Sequence, residues 1–184
     1  MNTQNNIKKK SKKSNLLKLF EMILCALFGA LMISSKEIMA VLPNIHLLGL
    51  LIMLATLTFR FKALISIYIY VFIEGFLQGF SPWWAQNLYT WAILWAVTML
   101  IPKKLPTKAK MVIYPIVCSL HGFAYGILCA PTQALFFGLD FNGMIAWIIT
   151  GFSFDIIHGI SNFCAGLLVL PLYLMLSKML AKIK

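Results

Sequence analysis

Runs of apolar residues about as long as a bilayer is thick, parted by short basic clusters, leave this chain few folds to adopt. A helix needs about 20 residues to cross the hydrocarbon core of a membrane. Sixteen residues are Lys or Arg, and all but Lys36 fall in four places. These are the first eighteen residues (Lys8, Lys9, Lys10, Lys12, Lys13, Lys18), a joint at Arg60 and Lys62, a loop with Lys103, Lys104, Lys108 and Lys110, and the C-terminal Lys178, Lys182 and Lys184. Cytoplasmic loops of membrane proteins collect Lys and Arg. The pattern therefore predicts an all-α integral membrane bundle with every basic cluster, and both termini, on the cytoplasmic side. The number of crossings is then even, and a multi-pass protein of a cell membrane is expected.

Six transmembrane helices are expected, over residues 16–35, 45–59, 63–80, 83–101, 111–130 with an extension toward 137, and 154–180. The second is short, which predicts local thinning or a deep-set loop before it. Pro82 suits the first turn of the fourth helix. Residues 141–180 are too long for one crossing, at roughly 60 Å of helix. A turn near Gly159 would give seven spans and carry the C-terminal lysines outside. Six spans obey the charge rule, with 141–152 as a surface or partly inserted helix on the outer side. Two regions follow: a basic, disordered cytoplasmic tail over 1–15 and a six-helix transmembrane domain over 16–184. The basic start followed by an apolar run resembles a signal peptide, but no small-residue cleavage site follows, so a retained first helix is expected.

Composition excludes several functions. Hydrophobic residues make up 61% of the chain and charged ones 11%, against about 25% charged in soluble domains. Such a chain cannot cover a water-facing surface, and the lipid bilayer is its natural partner. The net charge of +11 is parcelled between apolar spans rather than laid along a groove, which argues against nucleic acid. Cys25, Cys118, Cys129 and Cys164 lie in apolar runs without metal-ligand spacing and read as packed thiols. No phosphate loop and no His-Glu-x-x-His motif occurs. No metal, no cofactor, no catalytic residues and no enzymatic activity are expected.

Ionisable groups inside a bilayer cost about 2.5–3.5 kcal/mol on insertion scales and point to function by default. Glu74 lies in the third span, with Gln78 one turn later on the same face. Asp155 shares a face with His158 and Asn162 in the last. Trp84, Asn87 and Trp91 follow the outer turn, the last two on one face. The topology puts all of these in the outer half. Glu74, Gln78, Trp84, Asn87, Trp91, Asp155, His158 and Asn162 are therefore expected to line one pocket for a small, partly aromatic ligand. His121 and Tyr125 could floor it. Glu37, Asn44 and His46 border the first outer loop, a candidate lid. Trp83 and Trp84 read equally as interfacial belt residues.

Small residues recur on helix faces: Ala26, Ala30 and Ser34 in the first span, Gly75 and Gly79 in the third, Gly122 and Gly126 in the fifth. They let helices approach closely. Three local patterns then carry a family resemblance. These are Ala26-x-x-x-Ala30; Leu42-Pro43-Asn44 with Glu74-Gly75 and the stretch 84–91; and Phe154-Asp155-Ile156-Ile157-His158-Gly159-Ile160-Ser161-Asn162-Phe163 with Pro171-Leu172-Tyr173. With them the chain resembles the substrate-binding S component of energy-coupling factor (ECF) vitamin transporters. The resemblance implies a six-helix bundle that captures a vitamin or related micronutrient at its outer face. It also implies delivery with a transmembrane coupling subunit, docked at Ala26 and Ala30, and two ATPase subunits.

The residues leave the ligand open. Glu74 and Asp155 favour a cationic or hydrogen-bond-donating group, and the tryptophans a flat ring. Two other classes stand beside the transporter reading. His158-x-x-x-Asn162 is similar to one element of intramembrane CAAX-type proteases, whose paired glutamates are missing here. A stand-alone carrier or scaffold is the third.

Overall fold

The computed structural model describes residues 2–182, with side chains from residue 16 onward. The backbone of α1 (Asn2–Ile38) continues through the basic stretch at its start. The side chains of 1–15, on which the expectation of a disordered basic tail bears, lie outside the described residues. Seven further helices follow: α2 (Leu48–Phe59), α3 (Ala63–Gln78), α4 (Pro82–Leu100), α5 (Thr107–Phe123), α6 (Tyr125–Phe137), α7 (Phe141–Gly166) and α8 (Val169–Ala181). Among the described residues there is no strand. By length and composition, four helical stretches among the described residues suffice to cross a membrane, the second counted through its turn at Arg60–Lys62: Leu16–Ile38, Leu48–Gln78, Thr107–Phe137 and Phe141–Gly166. The exterior suits lipid, with Leu27, Phe76, Leu100, Leu135 and Ile149 among many exposed large hydrophobic side chains.

Local chemistry sets the turns. Arg60, at φ 57°, ends α2, and a 3-10 turn over Arg60–Lys62 leads into α3. The chain reverses there, so Leu48–Gln78 is a hairpin of two helices that pack on each other. Gly79, at φ 91°, ends α3. Such a φ carries no steric penalty only for glycine. Pro82 starts α4 at its first turn. Gly138, at φ 63°, closes α6 in the left-handed cap common at helix ends. Asp140 then caps α7 by accepting from Gly143 N at 2.7 Å.

Contacts along the helices give the direction of each. Lys62 pairs with Glu21 and Lys36 with Glu74, so α1 and α3 run parallel. Tyr68 donates to Leu88 O and Trp95 Nε1 to Arg60 O, so α4 runs back along α3. His121 bonds Thr90 O, Tyr89 donates to Leu128 O and Gln133 donates to Gln86 Oε1. The α5–α6 pair is therefore one rod antiparallel to α4, offset at Ala124 but still hydrogen-bonded across the offset, Leu128 N to Ala124 O. Ser119 donates to Gly159 O, and Gly126 N to Asp155 Oδ1, so α7 returns along that rod. Among the described residues the result is six up-and-down segments: α1, α2, α3, α4, α5–α6 and α7–α8. The end of α8 meets the α2–α3 turn and the start of the α1 span around Leu17, Phe20 and Leu180. Arg60, Lys62 and Lys182 thus share one end of the bundle, here called the basic end.

One expected boundary is corrected. Residues 141–152 do not form a separate surface helix, because α7 runs unbroken from Phe141 to Gly166. Gly159 makes no turn either. It sits mid-helix, where a Cβ would strike the ring of Phe123. The interruption comes at Leu167–Leu168, and α8 carries the last segment on. The short α2 has the deep-set loop before it: Ser161 Oγ donates to Asn44 O, and the His46 ring packs 5.9 Å from Trp91.

Candidate functional site

At the end opposite the basic one, α1, α3, α4 and α6 enclose a cleft of about 340 Å³. Lys36, Glu74, Gln78, Gly79, Ser81, Trp83, Trp84, Gln86, Asn87 and Tyr125 line it. Helical periodicity places Glu74 and Gln78 together, and Asn87 and Trp91 one turn apart on α4. Glu74 is only 4% exposed. One carboxylate oxygen receives the Lys36 ammonium. The other accepts from Asn87 Nδ2 at 2.8 Å.

The orientation of Asn87 is fixed from behind. Its carbonyl oxygen accepts from Trp91 Nε1 at 3.1 Å and from Tyr125 OH at 3.3 Å. The amide must then turn its NH2 to Glu74, so Glu74 is held in place as an acceptor on both oxygens. Trp84 Nε1 donates to Val71 O at 2.8 Å, which locks that indole as a wall. Its edge lies where a Cβ on Gly75 would fall, so glycine at 75 is what admits the ring. At the mouth, Gln78 Nε2 donates to Glu37 Oε1 at 2.9 Å and Gln78 Oε1 lies 3.4 Å from Lys36 Nζ.

Beneath the cleft lies a closed circuit of rings. His46, His158, Tyr125, His121 and Trp91 follow one another at centroid separations of 4.6, 4.8, 6.3 and 5.5 Å, and Trp91 returns to His46 at 5.9 Å. Thr90 O accepts from His121 Nε2, because a carbonyl cannot donate; this fixes the tautomer and leaves Nδ1 as an acceptor. That Nδ1, His158 Nε2, Tyr70 OH and both polar atoms of Asn162 are buried without a hydrogen-bond partner. Among the described residues, no group of three His, Cys, Asp or Glu is placed to hold a metal ion. Cys25, Cys118 and Cys129 are buried, and all four cysteines are free.

The structure gathers some of the expected residues and separates others. Glu74, Gln78, Trp84 and Asn87 share the cleft. Trp91 stands behind it, touching it through Asn87. His158 lies on the far side of Tyr125, in the ring circuit. Asn162 is fully buried near Gly49 and Gly122. Asp155, expected in the same pocket as Glu74, instead accepts the backbone N–H of Gly126 at 3.0 Å and lies outside the residues lining the cleft. Its face of α7 is buried, as the spacing predicts, but against α5–α6. Ala26 and Ala30 are exposed on α1, while Gly29 faces α3.

Three contributors lie outside the expected binding set. Lys36 carried a signal, as the single cation outside the basic clusters. Tyr125 was expected only as a candidate floor, and it does line the cleft; Gln86 carried no signal, since α6 and α4 meet only in three dimensions. Comparison with known proteins finds no matching family model, no matching curated protein and no matching solved structure.

Proposed function

We propose that this chain is the substrate-binding membrane subunit of an ECF-type uptake transporter. In this reading it spans a bacterial plasma membrane six times, with the basic end in the cytoplasm. A vitamin-like micronutrient is captured in the cleft at the outer end, and the coupling subunit with its two ATPases supplies the energy. The observation that carries the reading is a buried carboxylate, Glu74, held open to a cleft of about 340 Å³ at the end away from the lysine clusters. An ionisable group kept at such a depth needs a use, and a cleft of this size suits a small molecule. The exposed Ala26 and Ala30 add a surface of small side chains on α1, where another helix can approach closely.

The test has two arms. Tagged protein is purified from its native membrane, and retained small molecules are identified by mass spectrometry. The same preparation is examined for a coupling subunit and two ATPases. A retained nitrogen heterocycle together with those three partners supports the transporter reading. A retained ligand without the partners favours the stand-alone carrier. Neither ligand nor partners overturns the proposal.

A further inference from the structure

We propose that Lys36 is a tethered stand-in: its ammonium fills the seat, between Glu74 and Gln78, that the cationic nitrogen of the captured ligand takes. Capture is then an exchange of one cation for another, and it removes one of the two ties between the end of α1 and α3, leaving the Glu37–Gln78 bond. The inference rests on the reading of the cleft as the ligand site. It adds the class of ligand, a flat ring bearing an ammonium, amidinium or ring cation.

The charge map points to a cation. Of the five acids in the chain, only Glu21 pairs at the basic end, with Lys62. Glu37 and Glu74 stand at the cleft. Asp140 and Asp155 lie on the α6–α7 side of the same end. Among the described residues, Lys36 is the one Lys or Arg that lines the cleft. An anion drawn to Lys36 would have to settle beside the carboxylates of Glu74 and Glu37, which repel it. A neutral ligand that displaced Lys36 would leave Glu74 buried without a counter-charge, a costly state. An arriving cation leaves the charge of the site as it was.

The two partners differ in their freedom to move. Glu74 is fixed by Asn87, itself fixed by Trp91 and Tyr125. The Lys36 side chain is 27% exposed, against 5% for Glu74. It hangs from the last turn of α1, two residues before Ile38. Its flexible stem can carry the ammonium out to water while the carboxylate stays. The walls left behind are Trp84 and Tyr125, whose faces attract cations.

The full-length chain in detergent tests this with three ring probes of nearly one shape: benzamidinium, neutral benzamide and anionic benzoate. In the wild type, the rate at which an amine-reactive ester modifies Lys36 is followed by peptide mass spectrometry. Saturating benzamidinium should raise that rate several-fold, and benzamide should not. Removing the internal competitor with Lys36→Ala should tighten benzamidinium by about tenfold, since the seat is then always empty. Adding Glu74→Gln should abolish that gain. A Lys36 reactivity that benzamidinium leaves unchanged or lowers overturns the exchange, as does binding of benzoate that depends on Lys36. Should Lys36→Ala not fold, the wild-type labelling alone decides. Loss of the coupling-subunit partnership would end the transporter reading and leave this exchange standing. Unresponsive Lys36 would end the exchange and leave the transporter reading standing.

Discussion

Gly126→Ala measures how tightly α7 is set against α5–α6. A Cβ at this position would sit 3.1 Å from Asp155 Cγ and 3.2 Å from Oδ1, with Oδ2 closer still. Asp155 cannot withdraw easily. Its side chain is short, it belongs to a continuous helix, and it is 5% exposed. The new methyl must push the helices apart, and overpacking of this kind costs about 1–3 kcal/mol. The shift also strains the bond from Gly126 N to Asp155 Oδ1, now 3.0 Å, worth about 1 kcal/mol. The expected loss is therefore about 2–4 kcal/mol. Reversible unfolding in mixed detergent reads it, with wild type as reference. Asp155→Ala in the Gly126→Ala background removes the obstructing carboxylate and should restore part of the loss, giving a coupling of about 1 kcal/mol or more. A single variant within about 0.5 kcal/mol of wild type, or losses that simply add, would refute the close approach. Benzamidinium binding, measured on the folded fraction, should survive Asp155→Asn, because this carboxylate serves the helix seam and not the cleft.

Two further outcomes follow from exposure and from unmet hydrogen bonds. Ala30→Trp adds an indole to an exposed face of α1, so stability and ligand binding should stay near wild type while uptake in cells supplied with the coupling module falls to background; equal loss of binding would count against a docking role. Asn162→Leu replaces a fully buried amide whose oxygen and nitrogen both lack partners, and freeing the fold of unsatisfied groups, at about 1–3 kcal/mol each, should leave unfolding unchanged or shift it upward; a large loss would show that the amide is satisfied in the native state.

Much of the architecture was legible because charge and periodicity are local properties. Arg60 and Lys62 marked a turn between apolar runs, and α2 and α3 reverse there. The four-residue spacing of Asn87 and Trp91 put both on one face, and they are hydrogen-bonded. The last segment was harder for a physical reason. Glycine both breaks helices and admits close neighbours, and sequence does not say which. Gly159 suggested a turn in α7, yet it is where Phe123 presses in, as Pro115 does at Gly166. The same ambiguity misplaced Asp155. Its spacing from His158 and Asn162 fixed a common buried face, but not that Gly126 would offer it a bare backbone N–H across the seam. Tyr125 reaches the cleft only because the α5–α6 rod shifts at Ala124 and brings it beside Asn87.

Helix α1 joins the two halves of the proposal. Along one side it is clamped to α3 at three levels. Lys62 pairs with Glu21 near the basic end. Gly29 lies so close to Ile69 and the Ser66 carbonyl that no Cβ would fit. Lys36 meets Glu74 at the cleft. The other side, with Ala26 and Ala30 between Met22, Ile23, Leu27 and Leu31, is open. The lower two clamps involve no cleft residue, so a ligand can act only on the third. Releasing Lys36 would then loosen the cleft end of α1, leaving it the Glu37–Gln78 bond and a 39–47 loop still held at Asn44 and His46, while the Gly29 contact holds the middle of the helix. A partner seated on Ala26 and Ala30 touches a part of α1 that does not move in that exchange. Occupancy would reach such a partner through the loosened upper end of α1, not by remodelling the docking face. In the proposed reading, the residue that would yield to the ligand and those that would meet a partner lie on different sides of the same helix, so substitutions at Ala30 and at Lys36 should act independently.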